Sequence, residues 1–325
     1  MKEHEMIWAT LLHVGTNMWR DKDAPVRLDD KYMPPVTGTR WCNEAHFDLD
    51  VYHKIVEKLP ELGINTLLLD IGDGVHYDSH PEIGIPGSLT PDELRAEVRA
   101  LRALGIEPVP KLNFSAGHDA WLGEYERMLA TDTYRTVVGD LIHEICDIFE
   151  KPKYIHLGMD EETANNQAAY GYSVVRAQPL WWRDFYHMVD CCEKENARPW
   201  IWSDCLWHHP EEFAAKMPKS VLQSNWHYWP LSGEDGSKGT HGFGYRAYFE
   251  LERLGYDQVP TTTTWNFTGN TRQIVSQLAA AKMKNIAGFM TAPWMMTLPT
   301  EYYDILGDIA RLGFARKDFG GCFDN

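Results

Sequence analysis

The chain lacks most of the features that assign a function quickly. It has six cysteines in 325 residues, and none stands in the paired spacing of a zinc site. Cys191 and Cys192 are adjacent in a helical stretch, where small buried thiols are the ordinary reading, and cysteine usage as a whole fits a reducing compartment. No run is long and apolar enough to span a membrane. Met1–Val14 has no basic segment followed by a long apolar one, so no secretory leader is predicted and the expected location is the cytoplasm. Basic residues are scarce: 31 Lys and Arg stand against 47 Asp and Glu, for a net charge of −16. Such a surface repels nucleic acid and anionic membranes, and neither is expected as a partner. No linker and no shift in composition divides the chain, so residues 1–325 read as one domain.

What is present is an alternation of short apolar runs and amphipathic segments. Eight strands are predicted: Ile7–Val14, Ile64–Asp70, Ile106–Leu112, Tyr154–Met159, Pro199–Ser203, Ser220–Asn225, Gln258–Thr264 and Ile286–Ala292. Between and after them lie helical patterns near Leu49–Leu62, Thr90–Leu104, Thr133–Phe149, Leu180–Glu195, Pro210–Lys216, Tyr245–Leu254, Thr271–Lys284 and Thr300–Leu312. Asp48 is placed to cap the first, and Thr90-Pro91-Asp92-Glu93 reads as a capping box with proline at the first helical position. Leu62-Gly63-Ile64, Leu104-Gly105-Ile106 and Leu254-Gly255-Tyr256 each end a helix on glycine shortly before a strand. Short turns on one side and long loops on the other suit an α/β fold of the (β/α)8 barrel type. No glycine-rich phosphate loop follows the first strand, which disfavours an open doubly wound sheet.

In such a barrel the strand ends converge on one mouth. The fourth strand, Tyr154-Ile155-His156-Leu157, runs through Gly158 and Met159 into three consecutive carboxylates, Asp160, Glu161 and Glu162. Alternation puts His156, Gly158 and Asp160 inward, with Glu161 where the chain leaves the strand. Around them the other strands end in Asp70, in Lys111 and Asn113, in Trp202 and Asp204, in Trp226, in Trp265 and Asn266, and in Trp294. A buried lysine needs a partner, and Asp70 or Asp160 would serve Lys111. Thirteen Trp and fifteen Tyr, with four separate strands ending in Trp, suit a carbohydrate: sugar C–H faces stack on aromatics while hydroxyls need polar partners. The candidate substrate-binding set is Asp70, Asn113, His156, Trp202, Asp204, Trp226, Trp265, Asn266 and Trp294. A metal site from His156, Asp160, Glu161 and Glu162 lacks a recognisable ligand spacing, and neither metal nor other cofactor is expected.

His156-Leu157-Gly158-Met159-Asp160-Glu161 resembles the H-x-G-G-D-E signature of family 20 glycoside hydrolases, the β-N-acetylhexosaminidases, where it ends the fourth strand of a (β/α)8 barrel. Trp202-Ser203-Asp204 resembles that family's W-x-[DE] at the fifth strand. The resemblance implies Glu161 as general acid/base and Asp160 as the group that orients the substrate's 2-acetamido arm in a substrate-assisted retaining mechanism. The chain departs from the pattern: Met159 replaces the second glycine, no arginine lies in Thr10–Trp19 (Arg20 follows), and Trp294-Met295 stands where Trp-Glu is the rule. This is the profile of a divergent relative. Two alternatives remain at this level. One is an inverting glycosidase pairing Glu161 with Asp70 or Asp204; the other is a carbohydrate-binding barrel without catalysis.

Overall fold

The computed structural model describes residues 6–19, 41–168, 170–231 and 242–323. The parallel strands are β1 (Ile7–His13), β2 (Thr66–Asp70), β3 (Glu107–Lys111), β4 (Tyr154–His156), β5 (Arg198–Trp202), β6 (Leu222–Ser224), β7 (Thr261–Thr262) and β8 (Gly288–Thr291). They pair in the order β6-β5-β4-β3-β2-β1-β8-β7. Single parallel bridges Gln223–Gln258 and Trp226–Thr261 link β6 to β7 and close the ring. The result is a (β/α)8 barrel. The helices are α1 (Leu49–Val56), α2 (Pro91–Ala103), α3 (Asp132–Ile148), α4 (Gln178–Lys194), α5 (Asp204–His208), α6 (Pro210–Lys216), α7 (Gly242–Leu254), α8 (Asn270–Ala280) and α9 (Tyr302–Phe319).

Local chemistry explains the boundaries. The Asp48 carboxylate accepts the Val51 N–H, and Thr90 and Glu93 complete the reciprocal capping box that starts α2 on Pro91. α1 stops six residues short of the expected Leu62, since Pro60 cannot continue an α-helix and clashes with the carbonyl one turn back. β7 is cut to two residues because Pro260 has no N–H to give the ladder. β4 ends at His156 rather than Met159, because Gly158 (φ 74°) and Met159 (φ 73°) turn left-handed. One α-helix was not expected: α5 starts at Asp204, directly on the end of β5. The long segments predicted as loops at Gly15–His46 and Tyr228–Gly244 fall largely outside the described residues, as does Arg20.

Two cores result. The larger joins the outward face of the barrel to the helices, with Leu67, Leu69, Val98, Ile142, Phe185, Ile274 and Ile309 all buried. The smaller fills the barrel interior with Ala9, Leu11, Leu68, Val109, Trp200, Leu222, Val259 and Met290. At the top of this apolar plug, beside Trp200, the register places His13, Asp70, Lys111 and His156 side by side around the barrel. The layer beneath the mouth is therefore polar, and its inward residues are inaccessible to water.

Asp48→Ala should lower unfolding free energy in urea by about 1 kcal/mol, and Asp48→Asn should restore most of it. An unchanged midpoint for the alanine variant would show that the cap is not what starts α1.

Candidate active site

The three consecutive carboxylates end up in three environments because the chain leaves β4 through a left-handed turn. A Cβ at Gly158 would lie 1.9 Å from Asn113 Oδ1, so Asn113 packs directly against the turn and only glycine fits there. Glu161 is also left-handed, at φ 52°. Asp160 points into the mouth. Its Oδ1 accepts the Asn113 Nδ2–H at 3.0 Å, and its backbone carbonyl accepts the Ser115 hydroxyl. Glu161 is rotated to the edge. Its side chain is 35% exposed against 10% for Asp160, and its backbone N–H donates to Asp204 Oδ1 at 3.2 Å. Glu162 turns away entirely, accepting the Ala116 N–H at 3.0 Å and pairing with Arg176.

One imidazole joins the first two. His118 Nε2 lies 3.2 Å from Asp160 Oδ2 and 3.2 Å from Glu161 Oε2. Burial works against a charge on His118, but Asp160 and Glu161 outweigh it and raise the imidazole to about 10. Burial likewise opposes ionisation of Asp160, and His118, Lys111 and the Asn113 amide overcome it, holding the carboxyl at about 2. Asp204 goes the other way. Burial and the neighbouring Asp160 and Glu161 push it well above the carboxylate range, while the Trp226 Nε1–H donates to it at 2.9 Å. At neutral pH the site thus holds an imidazolium and an ionised Asp160, with Asp204 biased toward its protonated form.

One layer down, Lys111 Nζ donates to Asp70 Oδ2 at 2.6 Å and His13 Nδ1 lies 3.5 Å from the same oxygen. Burial raises Asp70 to about 6 against the pull of Lys111. Burial and the Lys111 charge lower both His13 and His156, which are neutral imidazoles. The mouth itself is walled by aromatics. Trp202 packs over His156 at 4.5 Å between ring centroids and reaches Trp294 at 6.0 Å, while Trp19 meets both His13 and His118. Trp226 stacks on Tyr228 at 4.9 Å. Trp294 is held at φ 55°, a costly conformation for a bulky residue and one that clusters at functional sites.

The candidates therefore separate. Asp160, Glu161, Asn113, Asp204, Trp226 and Trp294 frame the mouth, whereas Trp202, expected there too, is fully buried in the barrel interior against His156. Asp70 and His156, expected at the substrate surface, are fully buried one layer lower; the strand register aligns them with Lys111, which pairs with Asp70, while the Trp202 ring covers His156. Trp265 is half-buried at the end of β7, and Asn266 is exposed and donates to the Tyr228 carbonyl at 3.3 Å. Sequence reasoning missed His118 as a site member. It sits in a loop seven residues past β3, where spacing carries no direction; its position between two acids is a tertiary fact. The metal set considered from sequence is not assembled, since Glu162 is turned to Arg176 and His156 lies below. Among the described residues, His118, Asp160 and Glu161 offer one ligand atom each within 4.8 Å of one another. The His118 Nε2 already faces both carboxylates at 3.2 Å, and an ion between them would compete with that contact.

Comparison with known proteins bears on the fold. No family model matches the chain, and no curated protein does. Solved structures do. A β-N-acetylhexosaminidase from Bacteroides fragilis aligns over 95% of this chain and 65% of its own, at TM-score 0.62 and 13% identity. A family 20 exo-β-N-acetylglucosaminidase from Vibrio harveyi, in complex with N-acetylglucosamine, aligns over 95% of this chain and 54% of its own, at TM-score 0.66 and 15% identity. Dispersin B aligns over 82% of this chain and 95% of its own, at TM-score 0.55 and 13% identity. At such identity the likeness carries the barrel fold, and this chain spans about half to two thirds of the first two.

The shifts give a pH test. His118 is raised from 6.5 to about 10, so its contribution to stability is complete below 6.5 and is lost as pH rises through 10. Asp160 is lowered from 3.8 to about 2, so its contribution is present above 3.8 and lost as pH falls through 2. The stability gap between wild type and His118→Gln should be flat from pH 3.8 to 6.5 and shrink toward 10. A gap independent of pH in urea titrations would refute the bridged imidazolium. The lower layer gives a second test. Lys111→Met leaves Asp70 buried and alone and should cost roughly 3–5 kcal/mol, most of it recovered in Lys111→Met/Asp70→Asn. Equal loss in the single and double variants would show that the pair is not the cause.

Proposed function

We propose that this protein is a glycoside hydrolase that cleaves β-N-acetylhexosaminides by a substrate-assisted, retaining mechanism. The observation that carries the reading is the single imidazolium held between Asp160 and Glu161. It keeps Asp160 ionised inside the mouth while the more exposed Glu161 stands at the mouth's edge. Two adjacent carboxyls with different surroundings are what two different roles need.

In this reading the sugar ring lies against the half-buried Trp294 and Trp226, which offer apolar faces to its C–H groups. Asp160 accepts a hydrogen bond from the 2-acetamido N–H. That orients the acetamido oxygen toward the anomeric carbon and balances the positive charge that develops as the oxygen attacks. Glu161 gives its proton to the leaving glycosidic oxygen, then takes one from the water that opens the cyclic intermediate. The fold likeness to the hexosaminidase structures and the Asp160-Glu161 motif both support this assignment.

The inverting alternative has less behind it. It needs a second ionised carboxylate open to water; Asp70 is sealed below the mouth by its pairing with Lys111, and Asp204 is buried and biased against ionisation by its burial and by Asp160 and Glu161. A barrel that only binds sugar would not need a proton donor at the edge of the cleft.

Glu161→Gln should lower kcat on a 4-nitrophenyl 2-acetamido-2-deoxy-β-glycoside by about a hundred- to ten-thousand-fold with the fold intact by circular dichroism. Asp160→Asn should hurt 2-acetamido substrates selectively. Near-wild-type turnover by Glu161→Gln, or turnover of plain glucosides and galactosides alone, would overturn the assignment.

A further inference from the structure

The cluster at the mouth also has the shape of a metal site. His118 Nε2 lies 3.2 Å from Asp160 Oδ2 and 3.2 Å from Glu161 Oε2. Among the described residues, this is the group of His, Cys, Asp and Glu side chains that brings three ligand atoms within 4.8 Å of one another. A tetrahedral zinc ion bound at about 2.0–2.1 Å sets its ligand atoms about 3.3 Å apart, and two of the three spacings here already match. We propose that His118, Asp160 and Glu161 bind a divalent transition-metal ion of the zinc type, and that the bound ion shuts the mouth. The binding stands without the hydrolase reading. The inhibition rests on that reading, because the ion takes the two carboxyls that the reaction uses.

The donor set selects the ion. One imidazole with two carboxylates suits Zn²⁺ and its first-row neighbours, whereas Ca²⁺ and Mg²⁺ prefer larger shells made of oxygen alone. Three protein ligands leave the fourth position of a tetrahedral ion to water.

The surroundings hold two ligands and leave the third adjustable. The Asn113 Nδ2–H donates to Asp160 Oδ1 at 3.0 Å, which leaves Oδ2 for the ion. Ligating carboxylates are fixed by outer hydrogen bonds of this kind. The His118 side chain is 6% exposed and meets the Trp19 ring edge-on at 6.1 Å, so its position is set by packing. Its other nitrogen, Nδ1, has no protein partner, so no hydrogen bond opposes the small shift that coordination asks of the ring. Glu161, the most exposed of the three, is free to close the remaining spacing. Charge favours the exchange. Where both acids are ionised, the imidazolium balances one of them. Only the neutral imidazole ligates a metal, so the ion replaces the proton, and its two charges balance both carboxylates.

The test is calorimetric titration of Zn²⁺ into protein stripped with EDTA, in a buffer that does not bind metal. Wild type should bind an ion that His118→Gln and Glu161→Gln hold at least about a hundredfold more weakly, since loss of even an outer partner of a metal ligand costs roughly ten- to a hundredfold. Glu161 is partly exposed, so its variant decides the matter if His118→Gln fails to fold. His80→Gln, which removes the imidazole between Glu82 and Asp140, should leave this site unchanged. Co²⁺ in the same place should give the strong visible absorption of a four-coordinate ion, and Glu161→Gln should lose it. No binding to wild type, or equal binding to wild type and Glu161→Gln, overturns the proposal. Where wild type turns over the 2-acetamido glycoside, Zn²⁺ should inhibit in competition with substrate and EDTA should restore the rate. Full activity with the ion bound overturns the closure of the mouth. Where wild type turns over no 2-acetamido glycoside, the hydrolase reading has failed, and the titrations alone decide the metal site.

Discussion

The left-handed turn at Gly158 is the constraint on which the site depends. In a regular strand Asp160 and Glu162 would share a face, and Glu161 would point into the helical layer. The turn breaks that alternation. It is held from outside by Asn113, which packs where a Cβ would be and also donates to Asp160, so one side chain both forces the turn and receives its product. Once the strand has ended early, the three acids need not repel one another in a row. Each finds a partner: His118 serves both Asp160 and Glu161, and Arg176 serves Glu162. Arg176 is in turn anchored by Asp184 at 3.0 Å, and Asp184 by Arg135 at 3.0 Å, so Glu162 is tied to α4 and α3. The neighbour that looks most like a spare acid is the one that fixes the loop.

Electrostatic order follows from this geometry. The chain as a whole is strongly acidic, and the mouth gathers several carboxyls where water is excluded. They cannot all ionise there. Two are matched with cations, Asp160 with His118 and Asp70 with Lys111, and burial with the neighbouring Asp160 and Glu161 biases Asp204 toward its protonated form. The lower pair sits in the same layer as two neutral histidines, which adds no charge to that already placed on Lys111. The barrel interior is thus neutralised in layers, and the charge left near the opening belongs to groups that face the cleft.

How much of this was legible beforehand depended on whether the information was local. Barrel type, strand count and strand order of appearance follow from hydrophobic runs and glycine-ended helices, and they appear as expected. So does the convergence of Asn113, Asp204, Trp226 and Trp294 with the two acids, because alternation along a strand is a local rule. Asp70 and His156 obey the same rule, yet alternation gives a face and not a height. Only the register between neighbouring strands reveals that they lie in the layer below the opening. His118 was invisible for a related reason: a loop residue has no period, and its direction is set by Gly117 packing against the Glu161 carbonyl. α5 was hidden because its first residue doubles as the end of the strand motif.

The departures from the hexosaminidase pattern now have a physical setting. The resemblance leads one to look for an arginine near the end of β1 and a glutamate after the tryptophan of β8. This chain has His13, which is buried and neutral, and Met295. Its cation in that region is Lys111 on β3, and that charge is consumed by Asp70 below the opening. Among the described residues, a sugar in the mouth would therefore meet indoles, the Asp160 and Glu161 carboxyls and the His118 imidazolium. Stacking against tryptophan is tolerant of hydroxyl configuration, whereas charge-assisted hydrogen bonds to particular hydroxyls are not.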